Sequence, residues 1–197
     1  MNPLENLNRY EVILASGSPR RRELLAALDV KFTVNVKRGI DESYPATLPA
    51  EEVPQYLAQL KAKAYLADIE PHQLVITADT VVIDHGGVIL GKPHDEAEAR
   101  SMLESLSGHC HKVVTGVCLL TADGTMRAFS ASTTVEFATL SANEIAYYVE
   151  HYRPLDKAGA YGIQEWIGCA AIKRIEGSFY NVMGLPVQRL FEELKKL

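Results

Sequence analysis

Cysteine is scarce in this chain of 197 residues: Cys110, Cys118 and Cys169 are the only three. An odd number with no metal-type spacing argues against a disulfide framework and points to reduced thiols in a cytoplasmic protein. Long apolar runs are missing as well, and none approaches the length needed to span a bilayer. Residues 1–12 show no basic segment followed by an apolar one, so no signal peptide is expected. There is no excess of positive charge. The net charge is −5, which disfavours sequence-independent binding to nucleic acid and leaves any anionic ligand to a local basic cluster. The sequence has no Walker A motif, no Gly-x-Ser-x-Gly elbow and no His-Glu-x-x-His, and it shows no repeat, linker or low-complexity tract. What remains is an ordinary globular composition, 47% hydrophobic, long enough for one large domain or two small lobes.

The most informative stretch is Ser16-Gly17-Ser18-Pro19-Arg20-Arg21-Arg22, directly after the apolar run Val12-Ile13-Leu14-Ala15. It reads as a buried strand, a tight turn and a helix start. Ser18 suits the N-cap and Pro19 the first helical position. Three cations then fall in the first turn, where the helix dipole already places about +0.5 charge. An anion held by these arginines and by free backbone N–H groups would reverse that cost. The alternative is a solvated basic helix start.

Periodicity predicts a strand at 11–16, a helix over 18–28 and a short strand from Phe32 to Val36. A polar loop, 39–45, precedes a helix over 50–68. Residues 74–83 are apolar on both faces and read as a central strand. His85-Gly86-Gly87 turns the chain, and Val88-Ile89-Leu90 returns as a hairpin. A helix over 95–106 follows, then strands at 111–121 and 126–138, then a helix over 141–151 in which Ser141 and Glu144 form a capping box. The segment 156–180 is glycine-rich with short strand patterns, and 184–196 is a terminal helix. The pattern is that of an α/β domain with a mixed sheet.

Several side chains could carry chemistry. Asp79 lies in the apolar central strand, where a carboxylate is costly unless paired, hydrogen-bonded or metal-bound; the alternative is an exposed strand end. Asp41 and Glu42 are a solvated loop pair unless Asp79 and a phosphate lie close by, since magnesium takes carboxylates together with phosphate oxygens. Lys61 and Lys63 sit on the second helix. Lys92 is set between Gly91 and Pro93, which fix its backbone. His109 and His111 alternate on a strand, but without a third ligand they fit a surface or strand-end role better than zinc. In Asp156-Lys157-Ala158-Gly159-Ala160-Tyr161-Gly162-Ile163-Gln164, small residues permit close approach to a ligand, and Gln164 has the donor and acceptor that suit a base edge. A glycine-bearing loop with no ligand is the plain alternative.

Taken in order, these segments resemble the Maf family of nucleoside triphosphate pyrophosphatases from about residue 11 to residue 192. The matching pieces are residues 14–25, Ala78-Asp79-Thr80-Val81-Val82, Gly91-Lys92-Pro93, Leu106-Ser107-Gly108, 111–117, 156–164 and 177–186. Each alone is weak, and the ordered set is specific. The resemblance implies one domain over 1–197. Its fold would be a two-lobed mixed β-sheet flanked by helices, like that of the inosine triphosphate pyrophosphatases, with an active-site cleft between the lobes. It implies hydrolysis of a nucleoside triphosphate to the monophosphate and diphosphate with a divalent cation, magnesium or manganese, in a homodimer. Neither a membrane nor a nucleic-acid polymer is expected as partner.

By the same resemblance, Asp79 is the catalytic proton acceptor and, with Glu42, a metal ligand. Arg20 and Arg21 contact phosphate or nucleotide, Lys61 and Lys92 line the cleft, and Ser16 offers a hydroxyl contact. Arg20, Thr80 and Gln164 match the specificity positions of the dTTP/UTP type, which implies dTTP and UTP, together with modified pyrimidine nucleotides, as substrates. The 7-methyl-GTP type instead carries Trp after Ser-Pro and Gln after the Asp, and it lacks the Tyr-Gly-Ile-Gln run. The competing expectations are clean-up of non-canonical purine triphosphates and a nucleotide-binding regulator of septum formation.

Overall fold

Residues 73–83 are apolar on both faces, and in the computed structural model, which describes residues 3–197, they form the strand on which the sheet is organised. In chain order the strands are β1 (Glu11–Leu14), β2 (Thr33–Val34), β3 (Gln73–Ile83), β4 (Ile89–Leu90), β5 (Cys110–Thr121), β6 (Met126–Phe137) and β7 (Ile172–Glu176). The helices are α1 (Pro19–Ala26), α2 (Val53–Lys63), α3 (Glu96–Leu106), α4 (Ala142–Tyr152), α5 (Trp166–Ala171), α6 (Phe179–Met183) and α7 (Val187–Leu194). The seven strands form one sheet ordered β2-β1-β3-β5-β6-β7, with β4 paired to β3. β1 pairs in parallel with both β2 and β3, whereas β3/β4 and β6/β7 are antiparallel. The expected α/β class with a mixed sheet is therefore what forms. No helix among the described residues is long and apolar enough to cross a membrane.

The chain divides into two compact units. The first comprises residues 1–79, 115–131 and 184–197, and the second residues 80–114 and 132–183. In the first, Ile13, Val75, Cys118 and Leu120 from the strands pack with Ala58, Ala62 and Tyr65 of the α2 region. α2 lies so close to β5 that a Cβ on Gly116 would meet the backbone of Pro54 and Gln55 at 2.3 Å, so only glycine fits there. In the second, α3 and α4 bury Ala99, Met102, Leu103, Ile145, Tyr148 and Val149 with Val113, Val135 and Phe137 of the sheet.

Most elements fall where periodicity places them, with shorter ends. α2 stops at Lys63 rather than reaching residue 68, because Ala64, Tyr65 and Leu66 donate to carbonyls three residues back and tighten the chain into turns. Ser141 and Glu144 form the expected capping box, a device worth about 1 kcal/mol. The segment 156–180 differs from expectation. It holds one strand, β7, the helix α5 and a 3₁₀ turn at Ala158–Ala160, and α6 begins at its end. Its glycines mark close packing as much as loops: a Cβ on Gly168, within α5, would lie 1.7 Å from the Ile163 carbonyl oxygen.

His111 is a core residue rather than a strand-end ligand. It is 2% exposed, its Nε2 lies 2.8 Å from the Tyr161 hydroxyl, and its ring meets Phe137 and Tyr161 edge-on. Burial lowers its pKa from 6.5 to about 4. Between those values the unfolded chain takes up a proton that the folded chain refuses, so stability falls as the pH falls. We expect acidification from pH 7.5 to pH 5 to cost about 2 kcal/mol through this residue alone. Urea unfolding followed across that range checks it: the slope should flatten in His111→Gln, and an equal slope in both proteins would contradict the assignment.

Candidate active site

Beyond Leu14 the chain leaves β1, and the Ala15 N–H still donates to the Ile76 carbonyl of β3. Ser16 is buried in the turn that follows. Ser18 caps α1, its side chain accepting from the Arg21 N–H at 3.4 Å, and Pro19 occupies the first turn as expected. The three arginines then separate. Arg22 is exposed and Arg20 half-buried. Arg21 is directed back toward the sheet. Its Nε donates to the Gly184 carbonyl at 2.8 Å, and one terminal nitrogen donates to the Ala78 carbonyl at 2.9 Å and to Ser16 Oγ at 3.3 Å. Arg21 thus ties the start of α1 to the peptide immediately before Asp79. Burial, the largest influence, pulls its pKa down; Asp79 and then Glu42 oppose this, and Arg20 adds to it. A guanidinium stays charged through such a shift.

Asp79 lies in the middle of β3, not at an exposed end, and its side chain is 15% exposed. Its partner is Lys61, two residues before the end of α2, whose Nζ stands 2.7 Å from Asp79 Oδ1 and 2.9 Å from Glu42 Oε2. The loop acid and the strand acid, 37 positions apart in sequence, thus share one ammonium group. Asp41, the other loop acid, accepts from the Ser43 N–H and serves its own turn. Lys63 is exposed.

The first unit accordingly holds two sets, Ser16 bonded to Arg21 and Glu42 sharing Lys61 with Asp79, and Asp79, Glu42 and Arg20 all lie near enough to act on Arg21 electrostatically. Thr80, Lys92 and Gln164 belong to the second unit. Thr80 is half-buried on β3, Lys92 is exposed after β4, and Gln164 is exposed in the turn before α5. His109 stacks on His85 with ring centres 4.0 Å apart. Among the described residues no group of three or more His, Cys, Asp and Glu could hold a metal ion.

Two contributions were not legible beforehand. The Gly184 carbonyl that receives Arg21 sits in a glycine-proline stretch with no side chain to draw attention. Lys157, Glu165 and Tyr148 form a buried ionic group in the second unit, although only the small residues around Lys157 stand out in the sequence.

Chemically, the first-unit group offers a carboxylate held by an ammonium, a second carboxylate on the same ammonium, and arginines at a helix start. Arg20, Arg21 and Lys61 outnumber Asp79 and Glu42 by one charge, an excess that favours an anionic ligand. The profile of the family described as Maf-like protein matches residues 11–197. A dTTP/UTP pyrophosphatase of Phocaeicola vulgatus is 58% identical over 195 residues, covering 98% of this chain and 100% of the relative. A dTTP/UTP pyrophosphatase of Porphyromonas gingivalis is also 58% identical, over 194 residues, covering 98% and 96%. Among solved structures, the Ham1 protein of Staphylococcus aureus aligns over 65% of this chain and 72% of its own at a TM-score of 0.43 and 15% identity. A profile reaching from β1 to the last residue, with relatives of equal length at more than half identity, settles the ancestry: the chain belongs to the Maf family.

Proposed function

We propose that this protein hydrolyses a nucleoside triphosphate, with dTTP and UTP preferred, to the monophosphate and diphosphate, and that residues 1–197 work as one nucleotide pyrophosphatase domain. The observation that carries the chemistry is the Lys61 ammonium shared by Asp79 and Glu42 beside the arginine-rich start of α1. The choice of dTTP and UTP follows the names of the full-length relatives.

In this reading water attacks the α-phosphorus, and the diphosphate leaves. Asp79 is the general base. Its Oδ1 is held by Lys61, and its Oδ2 takes the proton of the attacking water. Ser16 Oγ already accepts from the Ser18 N–H and from Arg21, so what the hydroxyl offers a phosphate oxygen is its own proton. Arg21 spends Nε and one terminal nitrogen on Gly184, Ala78 and Ser16. It therefore holds β3 at the peptide before Asp79 and adds charge to the site, rather than presenting a full fork to phosphate. Arg20, Lys61 and Lys92 meet the phosphates, and Arg20, Thr80 and Gln164 discriminate the nucleotide.

Glu42 and Asp79 are hard oxygen donors that already share one cation, which fits a magnesium or manganese ion completing its shell from phosphate and water. Such an ion would supply charge neutralisation on the phosphate oxygens. The homodimer and cytoplasmic location implied by the resemblance are part of the same proposal.

Three measurements test this. Diphosphate release from dTTP, UTP, CTP, 7-methyl-GTP and ITP should be fastest with dTTP and UTP, and Asp79→Asn should lower it by about 10²–10⁴ with the fold intact; near wild-type release by that variant would remove Asp79 from its role. Manganese titration by electron paramagnetic resonance, without nucleotide, should show tighter binding in Lys61→Met, because the internal counter-ion is gone; unchanged affinity would place the metal elsewhere. Light scattering should give a mass near twice 21.7 kDa, and a monomer would refute the dimer.

A further inference from the structure

The second unit contains an ion group that the proposed chemistry does not use. Lys157 is 8% exposed, and its ammonium stands 3.0 Å from Glu165 Oε1 and 2.7 Å from Asp156 Oδ1. The other Glu165 oxygen accepts from the Tyr148 hydroxyl, which itself accepts from the Gly162 N–H at 3.0 Å. Tyr148 is fully buried on α4. Burial, and then the Glu165 carboxylate, push its pKa up, so the hydroxyl keeps its proton and donates. The Glu165 N–H returns to the Gly162 carbonyl at 3.0 Å. A Cβ on Gly162 would lie 2.8 Å from Glu165 Cδ and 3.0 Å from Lys157 Cε, so any side chain there would displace the pair.

These bonds clamp the chain on both sides of Gln164. Gly162, two residues before it, and Glu165, one residue after, are held to the same buried atoms, while Gln164 is exposed between them. Stability is a poor reason for such an arrangement, because buried ion pairs are often replaced by apolar residues at no loss. Positional accuracy is a better one. A hydrogen-bonding side chain on a loose turn would lose much of its discrimination to the cost of ordering it, and a pre-set turn avoids that cost.

We propose that Tyr148, Glu165 and Lys157 are positioning residues for nucleotide selection, holding the turn that presents Gln164 to the base. This rests on the assignment of Gln164 as a base reader, and the test separates the two. The readout is the ratio of kcat/KM for dTTP to that for CTP in the wild type, Gln164→Ala, Tyr148→Phe and the double variant. Tyr148→Phe removes only the hydroxyl. It should lower the ratio about tenfold, mainly through KM for dTTP, and add nothing in the Gln164→Ala background. Glu165→Gln, which keeps an acceptor for one of its two partners, should fall between wild type and Tyr148→Phe, and it serves as the second variant should Tyr148→Phe fold poorly. If Gln164→Ala lowers the ratio but neither Tyr148→Phe nor Glu165→Gln does, the positioning role is overturned and the base reader stands. Additive losses in the double variant also overturn it, since the hydroxyl would then act by another route. If Gln164→Ala leaves the ratio unchanged, both assignments fall.

Discussion

Lys61 places one ammonium group within hydrogen-bond distance of two carboxylates, and the candidate chemistry of the chain depends on that contact. Without a cation, Asp79 would be a mostly buried carboxylate in an apolar strand, a costly position. With it, the strand tolerates an acid at the one place where β3 must carry one. Arg21 supports the same point from the backbone side, gripping the carbonyl of Ala78. The site is thus built from α2, the start of α1 and β3, with Glu42 supplied by the loop ahead of α2.

The charge balance sets what such a site accepts. Lys61 pairs with Asp79 and Glu42, and Arg21 and Arg20 add two further positive charges nearby, so the group carries a positive excess of one even in a chain whose net charge is −5. That excess favours an anion, and a divalent cation on Glu42 and Asp79 would raise it toward the charge of a triphosphate. The global field of the protein does not attract such an anion, so the local cluster supplies the attraction, as the charge composition of the sequence requires.

Much of this was legible in the sequence, for identifiable reasons. β3 announces itself by eleven residues with a single acid among apolar neighbours, and the start of α1 by a cap, a proline and three cations. Local chemistry fixes those elements. What could not be read were the outcomes of tertiary contact. The separation of Arg20, Arg21 and Arg22 into three environments depends on Gly184, far away in sequence. His111 reads as a strand residue with an accessible imidazole, yet Phe137 and Tyr161 enclose it. The segment 156–180 reads as loop and short strands because glycine signals flexibility locally, whereas at Gly168 the Ile163 backbone leaves no room for a Cβ and at Gly162 a Cβ would displace Glu165 and Lys157.

The central claim is that this site directs water at the α-phosphorus of a nucleoside triphosphate. A single turnover of dTTP in ¹⁸O-labelled water, followed by mass spectrometry of the products, tests it most directly. The account predicts one ¹⁸O atom in the nucleoside monophosphate and none in the diphosphate. Label in the diphosphate, or release of inorganic phosphate with a nucleoside diphosphate, would contradict it.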